Sequence, residues 1–83
     1  MISEKNILKL EARQNIYILI LKNPGLHQRE ISRRLDIPFS TTQYHLRFLK
    51  KRNLIIEKSE NRYSRFYIAN KTNPMERKLL VLG

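Results

Sequence analysis

A chain of 83 residues with 41% apolar side chains can form one compact domain but not two. Its 17 lysines and arginines against 7 acids give a net charge of +10, which favours a polyanionic partner, either nucleic acid or an anionic membrane surface. The sequence contains no cysteine, which excludes disulfides and thiolate metal sites and predicts a reducing, cytoplasmic setting.

The first predicted helix contains the longest apolar run of the chain, residues 16–21. It extends from about Glu11 to Lys22, or starts as early as Ser3, and it ends before Pro24-Gly25. The run is far shorter than the roughly 20 residues of a membrane-spanning helix. Residues 1–15 also contain acids that a signal peptide would lack. We therefore expect a soluble protein without a membrane partner.

A second, short helix is predicted over Gln28–Leu35. Leu26 and Ile31 have the spacing of a hydrophobic staple around the start of this helix. His27, at the capping position, is a poor N-cap residue, so the predicted start depends on the staple. Residues 36–38 then form a tight turn into a third helix.

The third helix is predicted to end near Arg52-Asn53, and its start has two interpretations. Either Ser40 is the N-cap and Gln43 completes a capping box, or Pro38 already lies in the first turn. The face that is expected to pack inward comprises Thr42, Leu46 and Leu49, with His45 at its margin.

The opposite face of the third helix is polar and basic. It comprises Ser40, Tyr44, Arg47 and Lys51, flanked by Thr41 and Phe48 on one side and by Gln43 and Lys50 on the other. Arginine can bind guanine edges bidentately, glutamine suits adenine, and threonine or tyrosine can bond phosphates or touch thymine methyl groups. This face therefore favours double-stranded DNA, although these residues alone also fit a solvated helix surface.

After Asn53 the apolar pattern changes from helical to alternating, which predicts a β-hairpin with strands at 54–58 and 63–68 and a polar tip at 59–62. Asn73 as N-cap and Pro74 at the first helical position predict a final helix over about 74–82. The order is helix, helix, tight turn, helix, hairpin and helix, an α+β fold that is mainly α.

Positive charge is concentrated around the third helix and the hairpin. Residues 29–65 hold ten cations and four acids, a local charge of +6 within the total of +10. The residues expected to contact DNA from outside the third helix are Arg29, Arg33 and Lys50 at the backbone, and Lys58, Arg62, Ser64 and Arg65 on the hairpin.

The stretch HQREISRRLDIPFSTTQYHLRFLKKRNLI, followed by EKSENRYSRFYI, resembles the winged helix-turn-helix of bacterial and archaeal regulators of the MarR and ArsR type, over roughly residues 12–69. The resemblance implies a winged helix-turn-helix: a three-helix core with the helix-turn-helix at about 27–52 and a β-hairpin wing at about 54–68. Together with the predicted C-terminal helix, we expect one domain over 1–83. The resemblance also implies that residues 39–52 form a recognition helix in the major groove, with the wing over an adjacent minor groove or backbone.

Two positions depart from the pattern of that family. Asp36 stands in the turn where glycine is usual, and Thr42 stands where valine is common. Aspartate adopts left-handed backbone conformations more readily than most residues, so we expect the turn to be kept.

The sequence gives little support for a metal site or a catalytic site. His27 and His45 have no cysteines or clustered carboxylates to complete a metal site. No nucleophile is spaced with a base and an orienting partner, and no glycine-rich phosphate loop is present. We therefore expect no enzyme activity, no metal and no cofactor.

The run at 16–21 also bears on assembly. Three of its residues, Ile16, Tyr17 and Ile20, suffice to cover the helix-turn-helix. The other three, Ile18, Leu19 and Leu21, need cover elsewhere. This cover is either the terminal helix of the same chain or, as we favour, a homodimer interface formed by helices one and four, including Leu79 and Leu80.

We predict a sequence-specific DNA-binding transcriptional regulator in the cytoplasm, associated with the nucleoid. The recognition-helix contacts are expected from Ser40, Thr41, Gln43, Tyr44, Arg47 and Lys51. The alternatives are a low-specificity, chromatin-like DNA-binding protein and a winged-helix protein-interaction module. The basic surface of the third helix disfavours the interaction module.

Overall fold

The computed structural model describes residues 4–69. The helices are α1 (Glu4–Lys22), α2 (Gln28–Leu35) and α3 (Phe39–Lys51), and the strands are β1 (Leu26–His27), β2 (Ile55–Glu60) and β3 (Tyr63–Ile68). The early start of the first helix and the bounds of the second are confirmed. The predicted C-terminal helix, with Leu79 and Leu80, lies outside the described residues.

The turn between α2 and α3 depends on a left-handed residue. Asp36 has φ 52° and ψ 50°, and its amide donates to the carbonyl of Arg33. The amide of Ile37 donates to the carbonyl of Ser32, so the turn itself satisfies two carbonyls of the last turn of α2. Aspartate thus supplies here the conformation that glycine usually provides.

The start and the end of α3 are both set by backbone hydrogen bonds. Pro38 is the N-cap residue, and its carbonyl accepts from the amide of Thr42 at 3.1 Å. The interpretation of Ser40 as N-cap is therefore wrong, because Ser40 lies inside the first turn. The alternative, with Pro38 in the first turn, is one residue too early, because the helix begins at Phe39. At the other end, Asn53 has φ 58° and the amide of Leu54 donates to the carbonyl of Leu49, which repeats the arrangement after α2.

The hairpin is longer and its tip shorter than the sequence pattern predicted. Ser59 pairs with Ser64 and Glu60 with Tyr63, so only residues 61 and 62 form the turn. Asn61 has φ 57°, as the first residue of a two-residue hairpin turn often requires. Residues 59 and 60 resembled a loop because both are polar, and both are exposed at the end of the strand next to the turn.

A third strand was not predicted from the sequence. β1 pairs antiparallel with β3, with Leu26 opposite Phe66, and the sheet order is β1-β3-β2. The amide of Gly25 donates to the carbonyl of Phe66 at 2.8 Å. This pairing ties the connection between α1 and α2 to the base of the hairpin.

The core lies where the three helices meet the inner face of the sheet. Its buried apolar residues are Ile16, Tyr17, Ile20, Ile31, Leu46, Leu49, Leu54, Ile55 and Phe66. Leu19 is partly buried against this core, so the prediction that it points elsewhere is wrong. Ile18 and Leu21 do point away from the core and are exposed.

Candidate nucleic-acid interface

The outward face of α3 is the surface that the helical wheel predicted. Ser40, Gln43, Arg47 and Lys51 are exposed, and Tyr44 is 48% exposed, whereas Thr41 is half-buried. The inward face comprises Thr42, His45, Leu46 and Leu49, all buried. His45 is therefore inside the core and not at its margin.

A buried polar contact fixes α3 against α2. The hydroxyl groups of Ser32 and Thr42 are hydrogen-bonded at 2.8 Å, and both side chains are buried. Thr42 also donates to the carbonyl of Pro38 at 3.3 Å. Each hydroxyl group has a partner, which a buried polar group needs to avoid a cost in stability.

Arg13 of α1 is a buried cation behind α3 that the sequence analysis missed. Its side chain is only 4% exposed, and its Nε donates to Nδ1 of His45 at 3.3 Å. Its guanidinium carbon lies 3.6 Å from the centroid of the Phe48 ring. Arg13 lies three residues before Ile16, on the buried stripe of α1, and that spacing could have identified it.

Burial lowers the pKa of Arg13, while the contact with Tyr44 raises it and the charge of Arg52 lowers it further. Arg52 lies over the same Phe48 ring at 4.7 Å. Two guanidinium groups therefore contact one aromatic ring at the C-terminal half of α3, and this arrangement connects α1 with the end of the helix.

Two of the cations predicted to bind the DNA backbone are paired within the protein. Arg33 and its neighbour Arg34 donate to Glu30, and these bonds lower the pKa of Glu30 to about 2. The Lys50 ammonium group lies 2.6 Å from a carboxylate oxygen of Glu57 on the hairpin. These ion pairs reduce the charge that Arg33 and Lys50 offer to a phosphate.

The pair formed by Lys50 and Glu57 bridges α3 and the hairpin. The ammonium group of Lys50 and, secondly, a hydrogen bond from Ser64 lower the pKa of Glu57. Ser64, predicted to contact DNA, therefore also serves as a partner of Glu57. A cleft of about 240 Å³ lies beside this pair, and its lining includes Gln43 and Arg47 from α3.

The cations of the hairpin differ in their surroundings. Arg65 is half-buried, and it bonds Glu60 at 2.6 Å and the carbonyl of Gly25 at 3.1 Å. Lys58 is exposed, with its ammonium group 5.2 Å from the centroid of the Tyr67 ring. Arg62 lies in the exposed two-residue turn.

His27 anchors the hairpin to the start of α2. Its Nδ1 lies 3.2 Å from the carbonyl oxygen of Ser64, and its ring lies 5.1 Å from that of Tyr63. Within residues 10–69, no group of three or more His, Cys, Asp or Glu side chains is placed to hold a metal ion. None of the helices in the described part of the chain is long and apolar enough to cross a membrane.

Comparison with known proteins identifies the family. The family model described as the N-terminal HTH domain of HVO_0163 type matches residues 10–80. The chain belongs to this family of helix-turn-helix domains. In this domain α2 and α3 form the helix-turn-helix, α3 is the recognition helix, and the hairpin β2-β3 is the wing.

A relative and two solved structures agree with the assignment. An uncharacterized HTH-type transcriptional regulator of Methanocaldococcus jannaschii is 47% identical over 58 residues, which cover 70% of this chain and 15% of the relative. The domain superposes on MarR with a TM-score of 0.71 at 17% identity, covering 94% of this chain and 61% of MarR. It superposes on Streptococcus pneumoniae FabT in complex with DNA with a TM-score of 0.60 at 19% identity, covering 96% and 50%. The fold is thus a MarR-like winged helix-turn-helix, and the chain spans only a part of each of these proteins.

The helix-turn-helix domain brings most of the predicted site residues to one surface. The recognition helix presents Gln43, Tyr44 and Arg47 outward, beside the cleft that faces the wing. Seven exposed cations make no ion pair with any side chain of residues 10–69, and two of them, Arg52 and Lys58, lie over aromatic rings. The other five are Lys22, Arg29, Arg47, Lys51 and Arg62. Of the three residues predicted to contact the DNA backbone, Arg33 and Lys50 are in ion pairs and Arg29 is not.

Proposed function

We propose that this winged helix-turn-helix domain, taken as one unit over 1–83, binds double-stranded DNA sequence-specifically as the DNA-binding part of a transcriptional regulator. The recognition helix would enter the major groove, and the wing would lie over the adjacent backbone or minor groove. A cytoplasmic, nucleoid-associated location follows from such a role.

One observation carries the proposal. Arg47 and Gln43 lie exposed on the recognition helix of a helix-turn-helix family member, and Arg47 makes no ion pair with the described side chains of residues 10–69. An arginine in this position can bind guanine O6 and N7 bidentately, and a glutamine can bind adenine. The relative that is named a transcriptional regulator and the DNA complex of FabT support the same function.

The proposed contacts divide into two groups. Gln43, Tyr44 and Arg47 lie in the part of the recognition helix that approaches base edges in helix-turn-helix docking. Ser40 and Thr41 at its start are proposed to anchor phosphates, and so are Arg29, Lys51 and Arg62. The wing cation Arg65 would contribute less, because it is already bonded to Glu60 and to the carbonyl of Gly25. Lys58 is exposed and is proposed to contact the DNA backbone.

We also propose that the protein acts as a homodimer on a near-palindromic site. Ile18 and Leu21 of α1 are 38% and 52% exposed, which leaves apolar surface on the side of α1 away from the core. A two-fold axis through this surface would place two recognition helices about one turn of DNA, roughly 34 Å, apart.

The experiment is selection of bound duplexes from a random pool, followed by binding to the selected site and to a scrambled duplex. Arg47→Ala should lose about 1 to 3 kcal/mol on the selected site and flatten the preference at one base pair. Lys51→Ala should weaken both duplexes by the same factor. If the pool yields no preferred sequence, or if Arg47→Ala weakens both duplexes equally, the domain is a low-specificity DNA-binding protein instead.

A further inference from the structure

We infer that Phe39, the first residue of the recognition helix, recognises thymine: its ring contacts the C5 methyl group of a thymine base in the major groove. Phe39 is not among the DNA contacts predicted from the sequence. The inference rests on the proposed function and deepens it, because it assigns a specificity-determining contact to an apolar side chain.

Phe39 lies at the end of α3 that approaches base edges. The helix begins at this residue, directly after the N-cap residue Pro38, and the N-terminal residues of a recognition helix contact bases in helix-turn-helix docking. The side-chain amide of Gln28 donates to the backbone carbonyl of Phe39 at 3.4 Å. The backbone that carries the ring is therefore held by both helices of the helix-turn-helix.

Phe39 continues a row of exposed side chains along α3. Residues four positions apart lie on the same side of a helix, so Phe39, Gln43 and Arg47 form one row, and all three are exposed. Adjacent members of the row are about 6 Å apart along the helix axis, more than the spacing of about 3.4 Å between base pairs. Each side chain can therefore contact a different base pair.

The chemistry of this row assigns a base to the ring. The amide of Gln43 and the guanidinium group of Arg47 suit adenine and guanine, whereas Phe39 offers neither a donor nor an acceptor. Thymine is the base that presents an apolar group, its methyl group, in the major groove, and phenylalanine is a side chain that contacts it. An exposed apolar ring at this position therefore favours a thymine.

The surroundings of Phe39 suit a nucleotide. Phe39 is 51% exposed and lines a cleft of about 570 Å³ between the start of α2 and the wing. Arg29 and Arg62 line the same cleft, and neither makes an ion pair with a side chain of residues 10–69. The two acids of the lining, Glu30 and Glu57, are already paired with cations of α2 and α3. An apolar ring beside two such arginines matches a ligand that carries phosphates next to a methyl group.

The experiment is a double cycle between the Phe39 ring and the thymine methyl group. Each thymine of the duplex selected from the random pool is replaced in turn by deoxyuridine, which keeps the hydrogen-bonding edge of the base and removes its methyl group. The dissociation constants of the wild type and of Phe39→Ala are measured at fixed salt. Loss of the contacted methyl group should weaken binding by the wild type about fourfold, the value for burial of one such group.

Phe39→Ala should bind the thymine duplex more weakly and should no longer distinguish thymine from deoxyuridine at that position. Phe39→Leu keeps an apolar side chain and should retain part of the difference. Thermal unfolding establishes that each variant is folded, and if Phe39→Ala does not fold, Phe39→Gln should lose the same difference.

Ile56→Ala is the matched control. Ile56 is 42% exposed on β2 and does not line the cleft that contains Phe39. Its removal takes away a similar apolar side chain from the wing, so the dependence on the thymine methyl group should stay that of the wild type.

The outcomes separate the two proposals. A random pool that yields no preferred sequence would reject the proposed function and, with it, recognition of thymine by Phe39. A preferred site that contains no thymine, or one that the wild type binds equally well with deoxyuridine at every thymine position, would overturn the inference alone. A folded Phe39→Ala variant that keeps the fourfold difference would also overturn it, because another residue would then contact the methyl group.

Discussion

Ser32 and Thr42 form a buried hydrogen bond of 2.8 Å that joins the two helices of the helix-turn-helix. Thr42 occupies a position where valine is common in proteins of this type, and Ser32 provides the partner that the hydroxyl group needs. The Ser32 hydroxyl oxygen also lies 3.2 Å from the carbonyl oxygen of Gln28, and Thr42 donates to the carbonyl of Pro38, so both buried hydroxyl groups are satisfied inside the core.

Thr42→Val should destabilise the domain by about 0.5 to 1.5 kcal/mol, because it removes one buried hydrogen bond and leaves the Ser32 hydroxyl group with the carbonyl of Gln28 as its partner. Adding Ser32→Ala should recover most of the loss, since both polar groups are then removed together. Urea unfolding followed by circular dichroism measures both free energies. If the two single losses simply add in the double variant, the hydrogen bond does not couple the helices.

A second prediction concerns the left-handed turn residue. Asp36 is exposed and has φ 52°, so its substitution tests the backbone conformation rather than packing. Asp36→Gly should be neutral or stabilising, and Asp36→Val should cost about 1 kcal/mol because a β-branched side chain is strained at positive φ. Asp36→Asn is the control and should stay close to wild type. A valine variant with the urea midpoint of wild type would argue against a left-handed residue in this turn.

The elements with a regular apolar pattern could be predicted from the sequence. The bounds of α2, the two faces of α3 and the presence of the hairpin follow from periodic patterns of apolar residues, and the structure confirms them. The shift of the hairpin tip to residues 61 and 62 was missed, because Ser59 and Glu60 are exposed polar residues at the end of a strand and interrupt the alternating apolar pattern.

Other features have no local pattern. β1 contains only Leu26 and His27, too few residues to show a period, and it forms because β3 offers an open edge nearby. The cluster around Arg13 joins residues 32 positions apart in the chain, at His45, so only the fold brings them together. The pairing of Lys50 with Glu57 likewise depends on the angle between the recognition helix and the wing.

The third prediction is a pH dependence. Hydrogen bonds from Arg33 and then Arg34 lower the pKa of Glu30 to about 2, from an ordinary value of 4.5. A lowered carboxyl pKa means that the stabilisation is complete above pH 4.5 and is lost as the pH falls towards 2. Carboxyl-carbon NMR should give a Glu30 midpoint near 2, and Arg33→Gln should raise this midpoint. Arg29→Gln, on the same helix, is the control that should leave it in place; an unchanged midpoint in Arg33→Gln would contradict the ion pair.

The fourth prediction separates two neighbouring lysines at the end of the recognition helix. Lys51 is exposed and makes no ion pair within residues 10–69, whereas Lys50 is 2.6 Å from Glu57. Lys51→Ala should therefore reduce the slope of log affinity against log salt by about one, and Lys50→Ala should reduce it by less. In a Glu57→Gln background, Lys50→Ala should approach the effect of Lys51→Ala. Equal slopes for the two lysine variants in the wild-type background would show that Glu57 does not compete with phosphate for Lys50.

The last prediction tests the proposed dimer. Leu21 is 52% exposed on α1, so Leu21→Glu places a charge on the proposed interface without opening the core. Leu19→Glu is a poorer test, because Leu19 packs against the core and its loss would also destabilise the monomer. Each interface residue occurs twice in a two-fold dimer, and burial of one leucine contributes about 1.5 to 3 kcal/mol, so the variant should be largely monomeric at micromolar concentration. Sedimentation equilibrium measures the mass, with Lys22→Glu as the exposed control on the same turn. A wild-type protein that sediments as a monomer at this concentration would rule out the homodimer, and the operator would then not need to be palindromic.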